Sequence, residues 1–449
     1  MKKNKIKRGK NIPLKGAAQK ELREVLMPAH VCIQPTDFKG LRPRLKVQVG
    51  DQVKRGTPLF ADKEDAALVV SAPVSGEVLS ISRGDRRVLE GIVIKADGKS
   101  SAVEFRSFDQ LTLDQQPPEA LMEHLCQTGL WPVIRQRPFA RVASYRRPPK
   151  AIYIKGFSSA PCAAESDFIL EGQASAFQFG LNIICKLSKA PVHLCIAEAA
   201  QSKALLEAEG VNIHQFAGPH PSGNVSTHIA CIDPLNKGDV VWVIDLQDVI
   251  RIAKTFLEGA YCAERIVALT GPEVEKPQYV KTLIGAPLNG LCDEDLAHKK
   301  CISGDVLTGK DVGADGYLCS YDSQVSIISD QVRRQLLGWM VPGTKRFSFS
   351  RAFISAFTGS KKVIFDTDTH GSSRPMVAQD VYQHLIPLDI HVSFLVKAIL
   401  AGDLDEACAL GLLECDPEDF ALCSFGCPSK LNIGEVIGQG LAALEKEIY

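Results

Sequence analysis

The chain has 449 residues, 45% of them apolar and 23% charged, with 52 Lys and Arg set against 52 Asp and Glu. A chain of this length exceeds what one hydrophobic core organises and implies several domains. The even charge balance excludes a global field for nucleic acid or an anionic surface, and no apolar run approaches the ~20 residues that span a bilayer.

The first ten residues, MKKNKIKRGK, carry six Lys or Arg. They read as a solvated basic tail, with attraction to a membrane surface as the sharper alternative. No apolar stretch follows, so they do not form a secretory signal. Fourteen cysteines without such a signal read as reduced, buried thiols of a cytosolic protein.

From Lys46 to Ile81 a period-two apolar pattern is broken by turns at Gly50-Asp51, Gly56 and Pro73–Gly76. That predicts a small β-sandwich within residues 1–100. The order VGD-x-V-x-x-G-x-P-L, then APVSG-x-V, resembles the biotinyl/lipoyl carrier fold. In such carriers the acceptor lysine precedes the alanine of the A-P-x-S-G turn by seven residues. Here that position holds Asp65, which cannot form the amide; Lys63 is two residues off and lacks flanking methionines. The expectation is a docking surface rather than a swinging arm, since fold alone does not license function.

Residues 101–150 read as a connector. Pro117-Pro118-Glu119 starts a helix with an apolar stripe through Leu121, Met122, Leu125 and Leu130. From Val133 to Lys150 there are six basic residues, no acidic one and three prolines, which predicts an ordered basic loop. Residues 151–262 alternate strand and helix, as in a parallel, Rossmann-like α/β domain. Its strands are AIYIKGF, PVHLCIAE, VNIHQF and VVWVID; DFILEGQASAFQFGLNIICKLSK reads as one helix, and GPHPSGNVSTHIACIDPL as a turn-rich segment. Residues 263–335 are β-rich and fit a β-grasp domain, and 336–449 become helical after a looser basic-aromatic segment, VPGTKRFSFSRAF.

Motifs for chemistry are sparse. No G-x-G-x-x-G or G-x-x-x-x-G-K-[ST] follows a predicted strand, which disfavours a nucleotide or flavin. Cys408, Cys415, Cys423 and Cys427 offer only one close pair, C-x3-C, short of a cluster or zinc site. His214, His220 and His228 bracket the GPHPSG segment at spacings that match no helical face, and read as backbone-bonded histidines.

Several stretches together carry a wider resemblance: VGDQVKRGTPLFADK, APVSGEV, TGLWPVIRQRPF, FAGPHPSGNVSTHI, GWMVPGTKRFS and LCSFGCPSK, from Val49 to Lys430. With these the chain resembles the NqrA family, one of the six components of bacterial Na+-translocating NADH:quinone reductases. The family is related in architecture to the RnfC component of the Rnf complex and to the flavin-binding component of complex I. The resemblance implies a multidomain α/β chain with barrel-sandwich, Rossmann-like, β-grasp (SLBB-like) and C-terminal helical domains. Where the complex I protein has a flavin-binding glycine loop, TGLWPVIRQRPF keeps only Gly129, and its cluster cysteines are reduced to Cys423 and Cys427. The implied component carries no catalytic residues, metal or tightly bound cofactor; flavins and iron centres reside in its partners. It would sit peripherally on the cytoplasmic side of the bacterial inner membrane, with the other five components of the complex, especially the membrane protein NqrB and NqrC, as partners. Ubiquinone is the implied ligand, and Trp131, Arg135, Arg137 and Phe139 are the expected quinone-binding or partner-contact residues. The rival readings are a soluble flavin- or NAD-dependent oxidoreductase and a carrier modified on Lys63.

Overall fold

A computed structural model of the chain describes residues 1–292, 295–331, 340–344, 346–349, 352–357, 362–376 and 381–448. Within the basic-aromatic segment, Lys345, Ser350 and Arg351 lie outside the described residues, as does Trp339 just before it.

The sandwich forms as its alternation demands. One small sheet joins His30–Ile33, Leu89–Ala96, Gly76–Arg83 and Gln52–Val53; a second joins Pro43–Leu45, Pro58–Asp62 and Val69–Ser71. Val31, Ile33, Leu59, Val70, Val78, Ile92 and Ile94 point inward and are buried. The hairpin tip is docked within the same chain: Asp65 Oδ2 accepts from the Tyr145 hydroxyl at 2.7 Å and pairs with Arg146 at 2.9 Å. Nearby, the helix Pro118–Thr128 ends at Gly129, whose φ of +78° suits a left-handed cap. A Cβ there would lie 2.3 Å from Ser71 Oγ, so glycine also permits the sandwich to close on this helix. Both meet in one core, and the sandwich has no separate interior from the α/β layer.

The N-terminal segment is not a solvated tail. Lys2–Lys5 pairs in parallel with Asn212–Ala217, and Gln19–Glu24 pairs in parallel with Gln278–Leu283. The strap therefore edges two different sheets. Backbone hydrogen bonds need no apolar side chain, so Lys2, Lys3 and Lys5 stay exposed while Ile6, Ile12 and Leu14 anchor the path.

The α/β sheet has seven strands in the spatial order Lys2–Lys5, Asn212–Ala217, Val192–Ala197, Ile152–Lys155, Val241–Asp245, Arg135–Arg137, Arg141–Val142. The first five run parallel; Arg135–Arg137 pairs antiparallel with Val241–Asp245, and Arg141–Val142 antiparallel with Arg135–Arg137. The basic loop expected beyond Trp131 is thus corrected: two short strands extend this sheet, and Pro138 lies in the bend between them. They are too short for a periodic signal, and the first of them pairs with Val241–Asp245, about a hundred residues downstream in sequence. The single helix expected over DFILEGQASAFQFGLNIICKLSK is two, Ser166–Ile169 and Ala174–Leu187, separated at Gly172. The turn-rich GPHPSG segment continues into a helix, Val225–Ile232.

A six-stranded sheet carries Glu264–Thr270, Gln278–Leu283, Lys299–Ser303, Lys310–Asp311 and Gln324–Ser329, with Gln19–Glu24 at its edge. The C-terminal helices Val392–Ala401, Leu404–Ala409, Ala421–Gly426 and Ile433–Ile448 share a core of their own, into which Phe139 inserts. Among the described residues no helix is long and apolar enough to cross a membrane.

Candidate functional site

Chain order in the α/β sheet reverses around Ile152–Lys155. Successive strands first add on one side, Val192–Ala197 and then Asn212–Ala217; the chain then returns to place Val241–Asp245 on the other. Loops leave the two central strands in opposite directions there, and ligands of open α/β sheets bind in the resulting crevice at the carboxyl ends. Lys155 closes one strand and Asp245 the other, with their backbones paired.

A cleft of ≈ 1010 Å³, counting its open mouth, occupies that position. Its floor holds Lys155, Phe157, Asp245 and Leu246; one wall comes from Asp305, Thr308, Tyr321 and Asp322 of the six-stranded sheet region. Arg135, His220, Asn224 and Glu418 complete it. Volume and mixed lining suit a small organic headgroup.

His220 is the most informative of these residues. It is 4% exposed, its Nε2 finds no partner among the described residues, and the ring lines the cleft. Ser159 Oγ accepts from the Gly223 amide at 2.8 Å and lies 3.0 Å from His220 Nδ1. A hydroxyl both donates and accepts, so this contact is compatible with a ring proton on either nitrogen, and the ring lines the cleft whichever carries it. Burial depresses the His220 pKa against the pull of Asp305 and Glu418, so the neutral ring prevails. The strap supports this geometry, since a Cβ on Gly9 would lie 2.1 Å from the His220 carbonyl oxygen.

The charges around the cleft are strongly graded. Burial raises Glu418, but the cations Lys155, Arg137 and Arg135 outweigh it and hold the carboxyl at about 2. Asp322 is pushed up to about 6 by burial, against a 2.6 Å hydrogen bond donated by Ser303. Asp245 is raised by burial and by Asp248, although it accepts from the Gln247 amide at 3.0 Å as the helix cap. The cleft thus combines a neutral imidazole, two cations, one firmly ionised carboxylate and two carboxyls with raised affinity for a proton. Such a set recognises carbonyl or other acceptor oxygens and keeps protonatable groups beside them.

The four residues singled out in the sequence do not form one surface. Trp131 is fully buried; its indole donates to the Ala143 carbonyl at 2.7 Å and packs edge-on against Trp242 at 5.3 Å. Phe139 is buried among the C-terminal helices. Arg137 is buried and forms ion pairs with Asp416 and, at 3.0 Å, with Glu418. Only Arg135 reaches the cleft, where its guanidinium lies 4.8 Å above the Tyr321 ring. An exposed basic-aromatic face is therefore corrected to a packed strand edge: each side chain alternates into a partner that the local sequence cannot reveal.

His214 pairs with His193 at 3.1 Å, and His228 lies 3.0 Å from the Ser222 carbonyl. Cys415, Cys423 and Cys427 are buried, with Cys427 Sγ 3.0 Å from the Tyr382 hydroxyl. Among the described residues no group of three or more His, Cys, Asp or Glu could hold a metal ion. Lys155 and Asp245 escaped the sequence reading, although each is a charged residue closing an apolar strand, the pattern of a switch point.

Three family models match the chain. They are described as the NqrA N-terminal barrel-sandwich hybrid domain over residues 4–97, the NqrA second alpha/beta domain over 116–261 and the NQRA C-terminal domain over 266–314. The second match takes in the helix and strands that precede residue 151. Full-length relatives are named as the A component of Na(+)-translocating NADH-quinone reductase. The protein from Yersinia pseudotuberculosis serotype O:1b is 39% identical over 446 residues, covering 99% of each chain. Those from Pasteurella multocida and Neisseria meningitidis serogroup A are 38% and 36% identical, covering 98–99% of this chain and 99% of theirs. None of these matches favours the soluble oxidoreductase alternative.

Proposed function

The chain belongs to the NqrA family, and from that premise we propose that it works as the NqrA component of a Na+-translocating NADH:quinone reductase, an enzyme complex that couples quinone reduction by NADH to Na+ transport. The observation that carries this reading is identity of 36–39% along the full length of proteins so named. In the same proposal the protein sits peripherally on the cytoplasmic side of the inner membrane, against the other five components and chiefly NqrB and NqrC. Flavins and iron centres reside in those partners.

Within that complex the switch-point cleft is the place where this chain meets ubiquinone. With its ring proton on Nε2, His220 supplies one donor for the quinone carbonyls and the Arg135 guanidinium another, and Phe157 and Leu246 supply apolar contact. Of the four residues expected from the sequence, Arg135 thus keeps its place at the ligand, while Trp131, Arg137 and Phe139 hold the strand that presents it. In the same proposal residues 151–262 form a Rossmann-like domain and residues 263–335 a β-grasp domain.

Steady-state assay of the assembled complex tests it. Arg135→Ala and His220→Phe should each raise the KM for ubiquinone by about five- to tenfold, the loss of one hydrogen bond to an uncharged acceptor, with the KM for NADH unchanged. Unaltered quinone kinetics in a fully assembled complex would remove the cleft from the reading.

A further inference from the structure

Two basic segments that lie far apart in the sequence converge on one face of the C-terminal module. From Gln331 to Phe365 the sequence carries seven Lys or Arg, of which Arg346 and Lys362 are among the described residues, six aromatic residues and no acidic one. From Met1 to Lys15 it carries seven more Lys or Arg and again no acid. Lys10 Nζ donates to the Phe349 carbonyl at 2.7 Å and lies 4.5 Å from the centroid of the Phe349 ring. Leu14 bridges Val363, and the Lys15 amide donates to the Val363 carbonyl at 3.0 Å. Lys7, Arg8, Lys15 and Lys362 are exposed around this junction.

Apolar side chains project from the same segment. The turn Ile354–Ala356 leaves Ile354 47% exposed, and Phe357 just after it is 87% exposed; Ile364 is 59% exposed. Behind them Phe347, Phe349, Phe365 and Phe425 pack ring against ring, at centroid distances of 5.4–6.0 Å, and give the segment a stiff base. Exposed large apolar tips on a cationic ground are costly in water, and they fit an interface that is apolar below and anionic above. Acidic residues resume only at Asp366 and Asp368, both partly buried.

We propose that this face binds the surface of an anionic lipid bilayer, with Ile354 and Phe357 entering the headgroup region and Lys7, Arg8, Lys15 and Lys362 held over lipid phosphates. A nucleic acid would be attracted by the same cations but offers no apolar layer for the projecting tips. The contact is this chain's own and does not depend on its protein partners, so it stands or falls separately from the quinone reading.

Flotation of the purified full chain with vesicles tests the proposal. Binding should appear on vesicles with about 30 mol% phosphatidylglycerol, be weak on pure phosphatidylcholine, and fall as salt rises. The pair Ile354→Ser and Phe357→Ser should lower the partition coefficient by about tenfold or more, while Lys362→Glu lowers it by about fivefold or more. All three side chains are exposed, so the melting temperature serves as the control for folding. Absence of binding, equal binding to both vesicle types, or binding untouched by these substitutions overturns the proposal. Binding to duplex DNA of equal strength to that on anionic vesicles does so as well.

Discussion

Replacing Arg137 with methionine tests the joint between the α/β sheet and the C-terminal helices. The guanidinium belongs to the edge strand Arg135–Arg137, and its partners Asp416 and Glu418 open the 3-10 turn ahead of the helix Ala421–Gly426. All of these groups are largely withdrawn from water. Removing one partner of a buried pair leaves uncompensated charge and costs about 3–5 kcal/mol. At about 1.4 kcal/mol per decade, even the lower figure is on the order of a hundredfold in the opening equilibrium of the helical module. Hydrogen exchange read by mass spectrometry on peptides from 392–448 measures that opening directly, without assuming that the whole chain unfolds in one step. The loss must also depend on pH. Without Arg137, burial raises Glu418 from about 2, and protonation then relieves part of the cost, so the variant should lose more protection at pH 8 than at pH 5. Unchanged exchange, or equal loss at both pH values, would refute the account of Arg137 as a buried clamp.

Three further outcomes follow from the same reasoning. Gly129→Ala places a Cβ 2.3 Å from Ser71 Oγ at a φ of +78°, and should cost about 2–4 kcal/mol in urea unfolding. Asp65→Ala should cost about 1–2 kcal/mol by releasing Tyr145 and Arg146, whereas Lys63→Ala, at an exposed position, should stay within about 0.5 kcal/mol. Asp419 is raised to about 7 by burial and by Glu418 and Asp416, and Glu418 is lowered to about 2. Stability from Glu418 is present above its ordinary value of 4.5 and lost as pH falls towards 2. That from Asp419 is present below 3.8 and lost as pH rises through 7. Exchange protection of the helical module should therefore peak between about pH 4 and 5; a monotonic rise to pH 8 would contradict this.

What the sequence disclosed was local. The sandwich showed itself because alternation and glycine turns lie within a few residues of one another, and Asp65 could be judged from spacing alone. The buried strands Ile152–Lys155, Val192–Ala197 and Val241–Asp245 were visible as short apolar runs. Arg137 was misleading because a charged residue between prolines reads as surface until Asp416, far along the chain, is brought beside it. The strap was hidden for a related reason: KKNK and QKELRE pair through their backbones, and nothing in their side chains announces a sheet. His220 stands out in the sequence, but its importance lies in a nitrogen without a partner among the described residues, while Ser159 meets its other face.

That strap also dictates an order of events during synthesis. Lys2 pairs opposite His214, and Gln19 opposite Gln278. At about 5–20 residues per second, the first strand leaves the ribosome about ten to fifty seconds before its partner strands exist. Until then its backbone is satisfied only by water, and its lysines keep it soluble and unattractive to other strands. Closure of both sheet edges is thus reserved for a late stage, when this earlier-made segment joins strands that follow it by about two hundred residues or more.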